Sequence, residues 1–208
     1  PPKKILVSSA LARDGKTTTA SAIGATLSEL GAKTVLIDAD LRNPSLSRSF
    51  GFTSGQGLST FLSGGAVNVV PTGYKNLSLL PAGPSAPNPM ALFSSARMSE
   101  LLHELSKQYE FVVIDSPPVL GLADSVVLAS QADGVVLVTR AGKTPRSLLR
   151  QTVAQLKRTG AVVLGAAVTQ LEESRLGYSR YYGYGTSTSS TPPDALPEAP
   201  APQAISGD

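Results

Sequence analysis

Short aliphatic runs that stop on a polar or acidic residue, each followed by a segment of helical period, constrain this chain more than any other feature. Ile5-Leu6-Val7 stops at Ser8-Ser9. Behind it Ala20, Ile23, Leu27 and Leu30 are spaced by three and four, one apolar helix face, and Gly31 is placed to end that helix. Val35-Leu36-Ile37 then stops at Asp38. Strand, helix, strand in this order is a βαβ unit, whose strands run parallel. The alternation recurs through a strand at Leu77–Leu80 and a helix marked by Met98, Leu101, Leu102 and Leu105. A strand from Phe111 to Ile114 ends at Asp115, followed by a helix over Leu122–Ala129 and a strand over Gly134–Thr139. Leu148, Leu149, Val153 and Leu156 mark a further helix before a last strand at Val162–Val168. Strands this continuously apolar are expected to be covered on both faces. The fold class is therefore α/β, a mostly parallel sheet with helices on both sides.

Between these units, Gly51 to Asn76 is rich in Gly and Ser and reads as a surface connection with one short helix at Leu58–Leu62. From Thr186 onward the chain is mostly Ser, Thr, Pro and Ala, too poor in apolar residues to offset the entropy of ordering. The predicted organisation is a P-loop domain over residues 1–175, a tyrosine-rich tail over 176–186 and a disordered tail over 187–208. A length of 208 residues suits one core. A net charge of +3 does not argue for nucleic acid as a partner. The sequence has no cysteine, which excludes disulfides, thiolate metal sites and a thiol nucleophile, and fits a reducing cytoplasm. No apolar run approaches the roughly 20 residues that span a bilayer, and no signal peptide opens the chain. It begins Pro1-Pro2-Lys3-Lys4 and reads as a processed chain or a piece of a longer one.

Chemistry concentrates where the strands end. Ala10 to Thr17 reads A-L-A-R-D-G-K-T, close to the phosphate-binding pattern G-x-x-x-x-G-K-[ST] and set between a strand and a helix as that pattern requires. Gly15 lets backbone N–H groups turn in around phosphate oxygens. Lys16 is expected to reach the β- and γ-phosphates and the Thr17 hydroxyl to ligate Mg²⁺, with the helix N-terminus adding its dipole. Arg13, Asp14, Gly15, Lys16, Thr17 and Thr18 are the expected nucleotide contacts. Asp38 and Asp40 leave the second strand on the same edge, where α/β sheets bind ligands. One of two such carboxylates can accept a proton while the other helps hold Mg²⁺ through water. Arg42 can stabilise phosphate charge or orient an acceptor. Asp115 ends a third apolar strand in a Walker B arrangement, and Pro117-Pro118 force the chain out of the sheet beyond it. Arg140 ends another strand on this edge and is a further expected nucleotide contact. His103, among leucines on a predicted helix, reads as a surface or structural residue, and Asp124 and Asp133 as a cap and a loop residue, with Asp124, just after the Walker B turn, able to approach the site.

These segments resemble the bacterial tyrosine kinase family, kinases of capsule and exopolysaccharide export built on the same P-loop fold as MinD- and ParA-like ATPases. The resemblance spans Lys3 to Gly185, and V-L-I-D-A-D-L-R-N-P at Val35–Pro44 is its most specific part. G-L-S-T-F-L-S-G at Gly57, P-A-G at Pro81 and V-V-I-D-S-P-P at Val112 also fit. The resemblance implies ATP and Mg²⁺ as cofactors and Asp38 as base for the tyrosine hydroxyl. It implies Asp40 and Asp115 on Mg²⁺ beside Thr17, with Lys16 and Arg42 completing the catalytic set. It also implies a membrane activator, fused or separate, a place at the inner face of the cell membrane, and self-assembly in the parent protein. Two departures stand out. Ala12-Arg13 replaces the family's Pro-Gly, which leaves the loop shaped differently or gives Arg13 a phosphate contact. Thr169-Gln170 stands where the family presents an Asn to adenine.

Tyr178, Tyr181, Tyr182 and Tyr184 crowd into G-Y-S-R-Y-Y-G-Y-G, interrupted by Gly and Ser so that neither strand nor helix period holds. The reading is a flexible tail presenting its own phenols, in trans, as phosphoacceptors. Each phosphate would add about −1.5 to −2 charge and favour release. A switch ATPase without kinase activity is the second reading; it leaves the tyrosines unexplained. A degenerate adaptor that binds ATP poorly is the third, supported only by Ala12-Arg13.

Overall fold

The computed structural model describes residues 1–53 and 55–171. The element order is β1 (Lys4–Ser9), α1 (Lys16–Glu29), β2 (Thr34–Asp38), α2 (Ser45–Ser49), α3 (Leu58–Leu62), β3 (Val70–Pro71) and β4 (Leu77–Leu80). It continues with α4 (Pro89–Phe93), α5 (Ala96–Gln108), β5 (Phe111–Asp115), α6 (Asp124–Gln131), β6 (Gly134–Arg140), α7 (Arg146–Arg158) and β7 (Val163–Thr169). The seven strands form one sheet in the order β3-β4-β2-β5-β1-β6-β7. All neighbours are parallel except β3 against β4. The strand that opens the chain thus lies inside the sheet, between β5 and β6, and the chain builds the strands on its β5 side first and those on its β6 side afterwards. Such a reversal opens a crevice beyond the carboxyl ends of the strands. Asp38 pairs in register with Asp115 there, and Val7 with Asp115.

Alternate strand residues feed opposite layers. Leu6, Ile37, Ile114 and Leu137 join one apolar cluster with Phe93, Met98 and Leu102. Val7, Leu36, Val113 and Val138 join another with Ala20 and, at its margin, Ile23 and Leu27 of α1. Gly24 lets α1 lie close on β2, since a Cβ there would sit 2.7 Å from Leu36 Cδ2.

Both faces are covered over the central strands, as expected, but not at β7. This is an edge strand, and Val162 before it, Leu164 and Val168 are 58%, 45% and 50% exposed. The expectation fails because an apolar run does not reveal its place in the strand order. Three short elements, α2, β3 and α4, were not anticipated, being too short to show a period. The α6 helix starts at Asp124, two residues later than its sequence placement.

The connection after α2 carries a tightly fitted joint. The Leu58 and Ser59 N–H groups donate to the carbonyls of Pro81 and Ala82 at 2.8 and 2.9 Å. A Cβ on Gly57 would stand 2.3 Å from Pro81 O and 2.4 Å from Gly83 N. The two motifs G-L-S-T-F-L-S-G and P-A-G are therefore two sides of one backbone contact. Gly57→Ala is expected to destabilise the fold by about 2–3 kcal/mol, because backbone rather than a flexible side chain must give way. Urea unfolding of the two proteins checks this; an unchanged midpoint contradicts it.

Candidate active site

Ser9 ends β1, and the next residues wrap a loop into α1. Gly15 takes φ +98° just before the helix, and a Cβ there would press on Thr169 Cγ2 at 3.1 Å. Arg13 also takes the left-handed region, φ +65°. The loop thus keeps a turn suited to glycine while carrying an exposed arginine there. Relieving that strain makes Arg13→Gly stabilising by about 0.5–1 kcal/mol, after allowing for the greater unfolded-state freedom of glycine. A rise in the thermal midpoint of the nucleotide-free protein is the expected result. The first turn of α1 holds no acid and no side chain caps it. The Asp14 and Gly15 N–H groups donate to no protein atom among the described residues, so these donors are free for an anion. Lys16 is buried at 7% exposure, Thr17 is half-buried and Thr18 exposed.

The Asp14 side chain is engaged within the fold. Its buried carboxylate accepts the Thr144 hydroxyl at 2.8 Å and the Leu11 N–H at 3.3 Å. Only its backbone remains for phosphate. Thr169 is also turned to the loop: its hydroxyl donates to the Asp14 carbonyl at 2.7 Å. It braces the loop from β7. Gln170 follows, exposed and at φ +52°. Arg140 is half-buried at the end of β6, and its N–H donates to Thr144 Oγ1 at 3.4 Å.

Across the mouth of the loop, Thr17 Oγ1 donates to Asp115 Oδ2 at 2.7 Å and lies 2.9 Å from Ser45 Oγ. The other Asp115 oxygen, Oδ1, is buried with no hydrogen-bond partner among the described residues. Burial, reinforced by the charge of Asp38, pushes the Asp115 carboxyl up to about 7. A buried, unpartnered carboxylate oxygen beside a hydroxyl suits a hard cation, and Mg²⁺ takes such oxygens together with phosphate and water. No group of three or more His, Asp or Glu placed to hold a metal occurs among the described residues. Thr17 and Asp115 would therefore hold Mg²⁺ with ligands from nucleotide and water rather than in an all-protein cage.

Asp38 is fully buried. Its Oδ2 accepts both the N–H and the hydroxyl of Ser47 at 2.7 Å, and its Oδ1 accepts the Asp40 N–H at 3.2 Å. Burial raises its pKa to about 6, against the lowering effect of the Ser47 bonds. Asp40 is half-buried and accepts the Asn43 N–H at 3.0 Å. Its pKa is raised by burial, partly offset by the Asn43 N–H and the charge of Lys16. Arg42 Nε donates to Asp124 Oδ2 at 3.0 Å.

Loop, lysine and four carboxylates thus gather at one sheet edge, as anticipated. Ser45, Ser47 and Thr144 were missed, and their neighbours in sequence gave no signal. Asp124 was read as a cap that could approach the site, and it does so through Arg42. A groove of about 540 Å³ lies elsewhere, between α3 and Pro84–Leu92, and its lining holds no titratable side chain. No helix among the described residues is long and apolar enough to cross a membrane.

A P-loop fold with three acidic residues at or just beyond the ends of two neighbouring strands, β2 and β5, defines a nucleotide-dependent enzyme of the phosphoryl-transfer type. The AAA domain family model matches residues 3–161. Tyrosine-protein kinase CpsD of Streptococcus agalactiae is 33% identical over 187 residues, covering 88% of this chain and 82% of that protein. Tyrosine-protein kinase YwqD of Bacillus subtilis is 36% identical, covering 88% and 78%. The crystal structure of the VpsO kinase domain superimposes with a TM-score of 0.78 at 35% identity, covering 82% of this chain and 86% of that one. The chain belongs to the bacterial tyrosine kinase family and is a protein-tyrosine kinase.

Proposed function

We propose that the chain transfers the γ-phosphoryl group of ATP to tyrosines of its own tail, Tyr178, Tyr181, Tyr182 and Tyr184, in trans. The four tyrosines lie outside the described residues. The observation that carries the site assignment is the Thr17–Asp115 contact at the mouth of the phosphate loop, with Asp38 paired in register beside it. Bound Mg²⁺ supplies charge neutralisation at the phosphates, held by Thr17 and Asp115 and, through water, by Asp40. Lys16 meets the β- and γ-phosphates, and the free N–H groups of the loop hold the nucleotide in line. Asp38 takes the phenolic proton as the tyrosine oxygen bonds to the γ-phosphorus, and the bond to the β–γ bridging oxygen breaks to release ADP. A carboxyl raised to about 6 is a stronger base than an exposed one and is still ionised at neutral pH. Oδ2 accepts two hydrogen bonds at rest and Oδ1 only one, so Oδ1 keeps an acceptor site for the phenolic proton.

In this reading the kinase acts in capsule or exopolysaccharide production and is switched on by a membrane segment or protein. The tyrosine cluster favours a kinase over a switch ATPase. Replacing the four tail tyrosines by Phe is expected to abolish self-phosphorylation while leaving transfer to an added Glu–Tyr copolymer intact. Asp38→Asn is expected to lower both by about 10²–10⁴-fold, the usual contribution of a positioned base. Self-phosphorylation persisting in the four-Phe protein contradicts the acceptor assignment, and a fully active Asp38→Asn protein contradicts the base.

A further inference from the structure

Asp124 opens α6 and is 2% exposed, although an acid in a first helical turn gains its dipole interaction without being buried. Its recorded charged partner is Arg42, whose side chain is 46% exposed against 3% for the Asp124 side chain. A buried carboxylate with one guanidinium partner is a poor stabilising device, because desolvation offsets the attraction. The pair nevertheless joins two parts of the active site. Arg42 lies on the irregular segment after β2, two residues beyond Asp40, whereas α6 is fixed to the turn after Asp115. The Ser125 hydroxyl donates to the Pro117 carbonyl, the Ser8 hydroxyl donates to the same carbonyl at 2.9 Å, and the Ser116 hydroxyl donates to Val7 O at 3.1 Å. Asp124 is therefore a rigid anchor for a side chain on a less regular loop.

We propose that Asp124 is a positioning residue for phosphoryl transfer, holding Arg42 by its Nε–H so that the guanidinium's terminal nitrogens stay fixed for the acceptor or the transferring phosphoryl group. This rests on the reading of Arg42 as a group that meets one of those two. The Nε–H takes up one of five guanidinium donors, and the terminal nitrogens donate to no described residue. Two parallel N–H groups held this way match two phosphoryl oxygens.

The test uses the full chain with Mg²⁺-ATP and a Glu–Tyr copolymer as acceptor, reading kcat and KM for the acceptor, nucleotide affinity and thermal midpoint. Arg42→Ala is expected to reduce acceptor kcat/KM strongly, and Asp124→Ala by about tenfold to a hundredfold, the cost of a slightly misplaced group. Affinity for ADP, which lacks the transferred group, should be unchanged in both, and Asp124→Asn, whose carbonyl oxygen still accepts the Nε–H, should recover most of the loss. Added to Arg42→Ala, Asp124→Ala should cause no further loss. An Arg42→Ala protein with full activity overturns the underlying reading of Arg42. A strong Arg42→Ala loss with an active Asp124→Ala protein, or two losses that multiply, overturns the positioning role alone. If Asp124→Ala does not fold, Arg42→Lys carries the test, since it keeps the charge without an Nε–H. It should show the same selective loss, and undiminished transfer there overturns the proposal.

Discussion

Asp115→Asn is expected to make the metal-free, nucleotide-free chain more stable while silencing transfer. The wild-type carboxyl titrates at about 7 in the fold against 3.8 for the ordinary side chain, chiefly because it is buried. Between those values the folded state holds a proton that the unfolded state has released, so stability falls as pH rises through the window. The penalty is complete above about pH 7 and absent below about pH 4. Asn carries no such charge and can still accept the Thr17 hydroxyl, although its amide N–H₂ meets the same lack of partners as Oδ1. The net gain should be on the order of 1–3 kcal/mol at pH 8, fading toward pH 4. Adding Mg²⁺ with nucleotide should reverse the order, because the wild type alone offers the cation a full carboxylate. Thermal midpoints of both proteins across pH, with and without Mg²⁺-ADP, check this; a less stable variant at pH 8 contradicts the picture of an uncompensated buried charge.

Lys16→Met should leave the fold intact and lower phosphoryl transfer by at least about a hundredfold to a thousandfold, the usual consequence of removing one preorganised charge from developing negative charge. Lys16 is buried at the start of α1 and lowers the pKa of Asp40 and Asp115 by its charge. No carboxylate lies within ion-pair distance of it among the described residues, which leaves its ammonium for phosphate. Met matches its length and suits a buried position, so the thermal midpoint should shift by only a few degrees. Transfer kinetics and a melting curve on the same preparation separate a lost charge from a lost fold. A folded, fully active Lys16→Met protein would remove the phosphate loop from the chemistry.

Much of this was legible in the sequence because burial and backbone geometry write directly into it. The aliphatic triplets before Asp38 and Asp115 read as buried strands, and Gly15-Lys16-Thr17 between strand and helix marked where the phosphate loop lies. Three things were not legible. Strand order leaves no mark on a single run, so the exposed edge at β7 looked like any other strand. Contacts between distant short segments leave no period, so Ser47 under Asp38 and Thr144 on Asp14 were invisible. Side-chain direction within a motif is also hidden: the Asp14 carboxylate turns to Thr144 and the Leu11 N–H, and the Thr169 hydroxyl turns to the Asp14 carbonyl. The Asn88-Pro89 start of α4, with Asn88 Oδ1 accepting the Ala91 N–H at 3.3 Å, is a cap-and-proline signal that the sequence carries.

The central claim is a kinase that uses its own tail as acceptor. Mass spectrometry of residues 172–208 after incubation with Mg²⁺-ATP, beside a Lys16→Met control, tests it most directly. Phosphate on Tyr178, Tyr181, Tyr182 or Tyr184 that is lost in the control is the predicted result. ATP hydrolysis with no phosphate on any of the four, in a preparation that includes the membrane-proximal activating segment, would contradict it.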